Sequence, residues 1–203
     1  NEVSNVYDWC KDHNLLLNVS KTKEIIFSFL KTVKTESITN LTINGTPVDI
    51  VNSFKYLGVT IDSGLKFDLH VQNVLKRCQQ RMYFVRNLKY CGIQKELLSL
   101  FFKSIVHSVI TYAIICWYPS SRKGDLNPLH RLLASACKLG IPLIVLDTEV
   151  DVLIQKKLGN ILSDSTYPLF EYFSTLPSGR LRSSQQRTTR HSKTVVPYAI
   201  SLN

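Results

Sequence analysis

The sequence lacks most of the motifs that identify catalytic and metal-binding sites. It contains no glycine-rich phosphate loop, no H-E-x-x-H helix, no G-x-S-x-G elbow and no H-x-D pair. No two carboxylates are adjacent on an apolar strand, where they could hold two magnesium ions. These absences exclude from this stretch the familiar forms of P-loop hydrolysis, zinc proteolysis, serine hydrolysis and iron-dependent oxygenation.

Cysteine is scarce and follows no pattern. The five cysteines are Cys10, Cys78, Cys91, Cys116 and Cys137. Their number is odd, and no two lie at the spacing of metal ligands. We therefore expect reduced thiols, mostly in the core of an intracellular protein.

A signal peptide is also missing. The first residue is Asn, and apolar residues already follow a helical spacing over residues 3–10. We expect further sequence upstream. Residues 97–118 are apolar enough to span a membrane, but Lys103 lies inside them, and a central lysine costs about 2.5–3.5 kcal/mol on insertion scales. We expect a buried helix there and no membrane partner.

Acidic residues become scarce after residue 70. Residues 1–70 carry seven basic and eight acidic side chains, whereas residues 71–203 carry eighteen basic and seven acidic ones. This asymmetry favours a polyanionic partner, most simply nucleic acid, bound to the C-terminal two-thirds of the chain. A basic helical domain without such a partner fits the charge as well.

The first third of the chain predicts mixed α and β structure. A helix is expected over residues 2–13, buried strands over 15–19 and 24–30, and a polar loop over 31–37. Asn44–Gly45 predicts a two-residue hairpin turn. Residues 54–61 predict a strand that is interrupted at Gly58 by a bulge or a close backbone approach.

The remainder predicts helices and a basic tail. Helical spacing covers residues 71–90, 94–117, 128–139 and 149–164, the last interrupted near Gly159. Residues 178–193 contain five basic side chains and no acid. We expect an extended or disordered tail there, with a short ordered end near residues 195–202.

Two short segments carry a family resemblance. Residues 18–24 are NVSKTKE, and residues 53–62 are SFKYLGVTID. In this order, followed by QQRMYFVRNL at 79–88 and LPSGRLR at 176–182, they resemble the reverse transcriptases of LINE-type retrotransposons, which lack long terminal repeats. The resembling region is the C-terminal part that follows the catalytic aspartates.

The resemblance implies an α+β fold: a small mixed palm remnant with an antiparallel hairpin, a helical thumb-like bundle, and a basic, partly disordered tail. The corresponding domains are residues 1–66, 67–145 and 146–203. It implies an RNA-directed DNA polymerase fragment that lacks the metal-binding aspartates and is inactive alone. Mg²⁺ is expected only in the complete polymerase, and no cofactor in this part. The expected partners are a template–primer duplex and the missing palm and fingers, in the nucleus.

The same resemblance assigns roles to single residues. Lys21 matches a lysine proposed to protonate the leaving pyrophosphate, with Lys23 as the close alternative, although both could be solvated lysines in a turn. Lys55, Tyr56 and Gly58 match the primer grip, which could equally be an ordinary half-buried hairpin. Phe54 and Leu57 are expected in its core.

The basic helix over residues 71–90 resembles a thumb helix that lies along the duplex. Its candidate phosphate-binding residues are Lys76, Arg77, Arg81, Arg86 and Lys89, though a solvated face explains any one of them equally well. Tyr83 and Phe84 either stack on bases or, as we expect, pack against the next helix. Trp9, Trp117 and Tyr118 are expected in the core.

Two alternatives come from other functional classes. The chain could be a stand-alone basic helical nucleic-acid-binding module, since residues 71–111 also resemble segments grouped with the N-terminal region of AlkB homologue 8. It could also be a helical protein-interaction domain. Salt-insensitive partner binding would favour the latter, because phosphate binding weakens steeply with salt.

Overall fold

The computed structural model describes residues 2–27, 41–183 and 191–202. It divides into two compact units, Asn1–Lys66 and Phe67–Asn203. The first unit is mixed α and β, and the second is helical, so the expected mixed class is confirmed in outline. The assignment of these units to a palm, a thumb and a tail stays a prediction.

The first unit contains a helix and short strands. Among its described residues these are α1 (Glu2–Asp12), β1 (Lys23–Glu24), β2 (Thr42–Ile43), β3 (Thr46–Pro47), β4 (Asp49–Ile50), β5 (Ser53–Tyr56) and β6 (Val59–Asp62). β1 pairs with β4 in parallel, and β2–β3 and β5–β6 are antiparallel hairpins. The Asn44–Gly45 turn is confirmed, with φ of 49° and 74°.

Two strand predictions in this unit need correction. Residues 15–19 are not a strand, because Asn18 caps a single 3₁₀ turn, Val19–Lys21, by accepting the Lys21 amide. Of the predicted strand over 24–30, Glu24 belongs to β1 and residues 25–27 are not strand. Its last residues and the predicted loop over 31–37 lie outside the described residues.

The second unit is built from helices around α2. Its described helices are α2 (Asp68–Tyr90), α3 (Lys95–Phe102), α4 (Ser108–Thr111), α5 (Ile114–Trp117), α6 (Lys123–Cys137), α7 (Leu146–Leu162) and α8 (Val195–Ser201). α2 packs against α3 and α6, while α7 packs against α5 and α8. The apolar stripe of α2 faces the core: Val71, Val74, Cys78, Met82 and Val85 are buried, and Leu75 is half-buried. At this spacing they share one face of the helix.

The predicted continuous helix over residues 94–117 is wrong. A π-helical turn, Lys103–His107, follows α3, and the helix stops at Tyr112, where ψ is 119°. Ala113 then adopts a left-handed conformation with φ of 49°. The break frees the Tyr112 carbonyl oxygen, which accepts the indole N–H of the fully buried Trp117 at 3.0 Å. A buried indole needs such a partner, and this requirement offsets the cost of the break.

The last helices differ from their predicted bounds. α6 begins at Lys123 and contains Pro128, and α7 runs through Gly159 without interruption. α8 confirms the ordered end near residues 195–202. Of the predicted disordered tail, residues 184–190 lie outside the described residues, while an isolated bridge pairs Thr175 with Leu181.

Several core predictions are wrong. Of the five free cysteines only Cys78 is buried, and burial raises the pKa of its thiol to about 11. Trp9 is 54% exposed and stacks on His13, so the core position predicted for it is wrong. By length and composition, Lys95–Trp117 is long and apolar enough to cross a membrane. About a third of its most apolar 18-residue segment is buried within the protein.

Candidate nucleic-acid interface

The five basic residues of α2 do not form one surface. The apolar stripe of the helix fixes its rotation, so each side chain is assigned to a face by its position along the 3.6-residue period. Lys76 and Arg77 are exposed, whereas Arg81 and Lys89 are half-buried. Arg86 is exposed but lines a groove between α2 and α6. Only Lys76 and Arg77 thus occupy the open, outward face.

Arg81 has a structural partner instead. Its Nη1 donates to the carbonyl oxygen of Ile105, in the π-helical turn. A π turn shifts backbone hydrogen bonding by one residue and can leave a carbonyl available to a side chain. Arg81 therefore bonds α2 to the adjoining helix. The phosphate contact expected at Arg81 stays a prediction.

The outward face of α2 also presents aromatic rings. Tyr83 is 59% exposed, Phe84 is 55% exposed, and the two rings meet edge to face with centroids 5.6 Å apart. Tyr90 is 94% exposed at the end of the helix. The expectation that Tyr83 and Phe84 pack against the next helix is wrong, because α3 and α6 pack on other sides of α2.

The electrostatics of this face are simple. After Asp68 at its first position, α2 carries no acidic residue. Arg77 is close enough to the buried His70 to lower the pKa of its imidazole, although burial is the larger cause. The face combines cations, amides and exposed rings without a carboxylate to neutralise them, which is the composition of a nucleic-acid-binding surface.

The β5–β6 hairpin presents the predicted primer-grip residues at its tip. In the β5–β6 ladder Lys55 lies opposite Thr60, and Tyr56 lies opposite Val59. Because successive residues of a strand alternate, the side chains of Lys55 and Tyr56 project to opposite faces of the hairpin. The turn consists of Leu57 and Gly58, with φ of 44° and 86°. Two positive φ values define a tight turn, so the predicted single interrupted strand is two strands.

Phe54, predicted to be in the core of the hairpin, is 38% exposed. The core position predicted for Leu57 is also wrong. Its side chain is 73% exposed, and its backbone is in a region that costs a branched apolar residue about 1–2 kcal/mol. The sequence does contain a signal for this: a Leu-Gly pair stands where Asn-Gly is favoured, as in the neighbouring β2–β3 turn. An exposed, strained leucine marks a contact site more often than a packing site.

The two candidate lysines near residue 21 are distinguished by their partners. Lys23 forms an ion pair with Asp49, with Nζ 2.6 Å from Oδ2, which ties β1 to β4. Lys21 is exposed at the end of the 3₁₀ turn, where only its backbone amide is engaged. Lys21 is therefore the more mobile cation of the two.

The acidic residues at the start of α7 are engaged locally. Asp147 accepts the hydroxyl of Tyr118 at 2.9 Å, Glu149 lies 2.9 Å from His107, and Asp151 accepts the hydroxyl of Tyr198 at 2.7 Å. Burial, followed by the bond to Asp147, raises the pKa of Tyr118 well above its usual value. These carboxylates stabilise helix contacts within the second unit.

The described residues do not fit a polymerase metal site. Over residues 2–27, 41–183 and 191–202, no three His, Cys, Asp or Glu side chains converge on a position that could hold a metal ion. Two-metal phosphoryl transfer requires carboxylates that hold both ions about 4 Å apart.

Comparison with known proteins places the chain near retrotransposon polymerases. It is 25% identical over 183 residues to the RNA-directed DNA polymerase from mobile element jockey of Drosophila melanogaster, covering 86% of this chain and 19% of that protein. It is 32% identical over 99 residues to the probable RNA-directed DNA polymerase from transposon BS of the same fly, covering 49% of this chain and 10% of that protein. The chain is related to these retrotransposon polymerases and spans about a fifth or less of their length.

A second similarity is confined to the start of the helical unit. The family model for the N-terminal region of alkylated DNA repair protein alkB homolog 8 matches residues 67–108, which include α2, α3 and the π turn. No solved structure matches the chain.

Proposed function

We propose that this chain is a non-catalytic part of a LINE-type RNA-directed DNA polymerase, and that it grips the template–primer duplex. Within the polymerase it would follow the metal-binding aspartates. The observation that carries the proposal is the outward face of α2, where Lys76 and Arg77 accompany the exposed rings of Tyr83 and Phe84 without a carboxylate.

The outward face of α2 suits the shape and the phosphates of an RNA–DNA duplex. An RNA–DNA duplex is close to A-form, and proteins recognise it mainly through its backbone and its wide minor groove. Such recognition needs cations and flat side chains along a straight element, and it needs no fixed pattern of base contacts. A 23-residue helix that is held by its apolar stripe is rigid enough to provide that element.

The β5–β6 tip is proposed as the primer grip. The tight turn brings the backbone amides near Leu57 and Gly58 to an exposed apex, beside Lys55 and Tyr56. Backbone amides and a lysine suit the phosphates of a primer end, and an exposed leucine suits its sugars. Burial of Leu57 against nucleic acid would explain why a strained, solvated leucine is present there.

Lys21 is proposed to act as the general acid for the leaving pyrophosphate in the complete polymerase. An exposed cation on a short turn can approach a phosphate, whereas Lys23 is held by Asp49. The metal ions and their aspartates would belong to the palm and fingers that complete the enzyme. The proposed location is the nucleus, and we propose no membrane partner and no cofactor in this part.

The experiment is duplex binding by matched variants. A double variant, Lys76→Ala with Arg77→Ala, should bind a labelled RNA–DNA primer–template more weakly whatever its sequence. The slope of log K against log salt should flatten by about 0.9 for each phosphate that the variant no longer neutralises. The control is Arg122→Ala with Lys123→Ala, an adjacent exposed pair with the same charge change at the start of α6.

Equal weakening in both double variants would mean that total charge matters and the α2 face does not. Binding of the parent chain that is insensitive to salt would favour the protein-interaction alternative. The stand-alone module would be favoured if duplex binding were unaffected by addition of the catalytic half in trans.

A further inference from the structure

A groove of about 470 Å³ lies between α2 and α6, away from the outward face of α2. It is lined by Gln79, Met82 and Arg86 from α2, and by Pro128, Arg131, Leu132 and Ser135 from α6. Its apolar floor is Pro128 and the small accessible edge of Leu132, and Met82 is fully buried beneath them. The arginines and the two neutral polar residues surround that floor.

The two arginines of this groove are available to a ligand. Both are exposed, and each comes from a different helix. No carboxylate lines the groove, and no described residue forms an ion pair or hydrogen bond with the guanidinium of Arg86 or Arg131. Two unneutralised guanidinium groups over an apolar floor fit a ligand that is anionic at one end and flat and apolar at the other.

Resting on the proposed nucleic-acid function, we propose that this groove holds an unpaired nucleotide of a single strand. Arg86 and Arg131 would bind its phosphates, and the base would lie over Pro128 and Leu132. Gln79 and Ser135 place amide and hydroxyl groups within reach of a base edge. Arginine planes and apolar surfaces accept any base, so little sequence preference is expected.

The size of the groove favours a single strand over a duplex. A volume of about 470 Å³ is in the range of small-molecule sites and is comparable to one or two nucleotides. A duplex is far too wide to enter it, and its bases are stacked and paired. The groove thus differs in ligand from the outward face of α2, which is open enough for a duplex backbone.

The test compares single-stranded and duplex binding by the full chain. Arg131→Ala should weaken binding of a labelled oligouridylate by about tenfold, the effect expected for removal of a charge-assisted phosphate contact. The salt slope for the single strand should flatten by about 0.7. Affinity for the RNA–DNA duplex should change by less than about twofold. Gln79→Glu, which adds a carboxylate at an exposed position of the same groove, should act in the same direction.

The control is Lys123→Ala, an exposed cation of α6 that does not line the groove. It should leave both affinities near the parent values. Equal weakening for single strand and duplex in Arg131→Ala would overturn the proposal, as would unchanged single-strand binding. Displacement of the oligouridylate by a polyglutamate peptide at equal charge concentration would overturn it in favour of an acidic protein ligand. A parent chain that binds neither nucleic acid would overturn this proposal and the proposed function together.

Discussion

At the scale of single residues, α2 shows how far a basic helix can be interpreted from its sequence. Four of its five cations lie in three environments: open solvent, a bond to the Ile105 carbonyl, and a groove. The fifth, Lys89, is half-buried. The apolar stripe places Lys76 and Arg77 on its flanks, and both are exposed. It does not predict the partner of Arg81, because that partner is a carbonyl in a π turn 24 residues away.

Arg81→Ala should therefore reduce stability. Removal of a charge-assisted bond at a half-buried position should lower the free energy of unfolding by about 1–2 kcal/mol. Denaturant melts of the full chain measure this decrease. Arg77→Ala is the control and should stay within about 0.5 kcal/mol of the parent, because Arg77 is exposed. Equal stabilities of Arg81→Ala and Arg77→Ala would show that Arg81 has no structural role.

The Leu57–Gly58 turn makes a second prediction at this scale. Leu57→Asn should stabilise the hairpin by up to about 1 kcal/mol, because Asn tolerates a positive φ better than leucine. Gly58→Val should destabilise it by about 1–3 kcal/mol, because a β-branched residue is strained at φ of 86°. Amide exchange across β5–β6 reports both changes, and Lys21→Ala serves as the neutral comparison.

If Leu57 contacts the primer, Leu57→Asn should also weaken duplex binding while it stabilises the chain. A stabilised hairpin with unchanged duplex binding would show that Leu57 does not contact the primer. The primer-grip assignment of the hairpin tip would then have no support.

At the scale of elements, the helices whose apolar spacing is regular are predictable, and the places where they break are not. The 94–117 stretch is predominantly apolar, and its periodicity contains no signal for the π turn or for the stop at Tyr112. The stop depends on the hydrogen bond from Trp117, which forms only when the indole is buried. The start of α6 differs from its prediction for a simpler reason: Pro128 is typical of a helix start, but here it is tolerated inside the helix.

The contact between α7 and α8 predicts an alkaline transition. Burial, followed by the hydrogen bond to Asp151, raises the pKa of Tyr198 to about 12. The unfolded chain releases this proton near pH 10, so the folded state binds it more tightly. The contribution of Tyr198 to stability should be constant below about pH 10 and should be lost as the pH rises through about 12. Tyr118, with its raised pKa, should add to the same fall.

Tyr198→Phe should remove part of this alkaline decrease, at a cost of about 1 kcal/mol at neutral pH from the missing hydrogen bond. Thermal melts between neutral pH and about pH 12 measure both effects. Tyr90→Phe is the matched control, because Tyr90 is 94% exposed at the end of α2. A parent-like pH profile in Tyr198→Phe would show that the Tyr198–Asp151 bond does not hold α8.

At the scale of the whole molecule, the charge asymmetry follows the division into two units. The nearly neutral first unit carries the strained hairpin tip, and the strongly basic second unit carries the α2 face and the groove. The low-identity relatives are RNA-directed DNA polymerases, and the described residues offer no set of carboxylates that fits two metal ions. The basic second unit and the related polymerases are the support for the proposed role, a grip on the template–primer duplex.

One measurement tests that role most directly: incubation of the purified chain with a labelled primer–template, Mg²⁺ and nucleotides, followed by native and denaturing gels of the same sample. If the chain grips the duplex without extending its primer, the native gel shows a shifted duplex, and the shift weakens steeply with added salt. The denaturing gel then shows a primer of unchanged length. A duplex that does not shift at low salt, or a primer that this chain alone extends in the presence of Mg²⁺, would contradict this role.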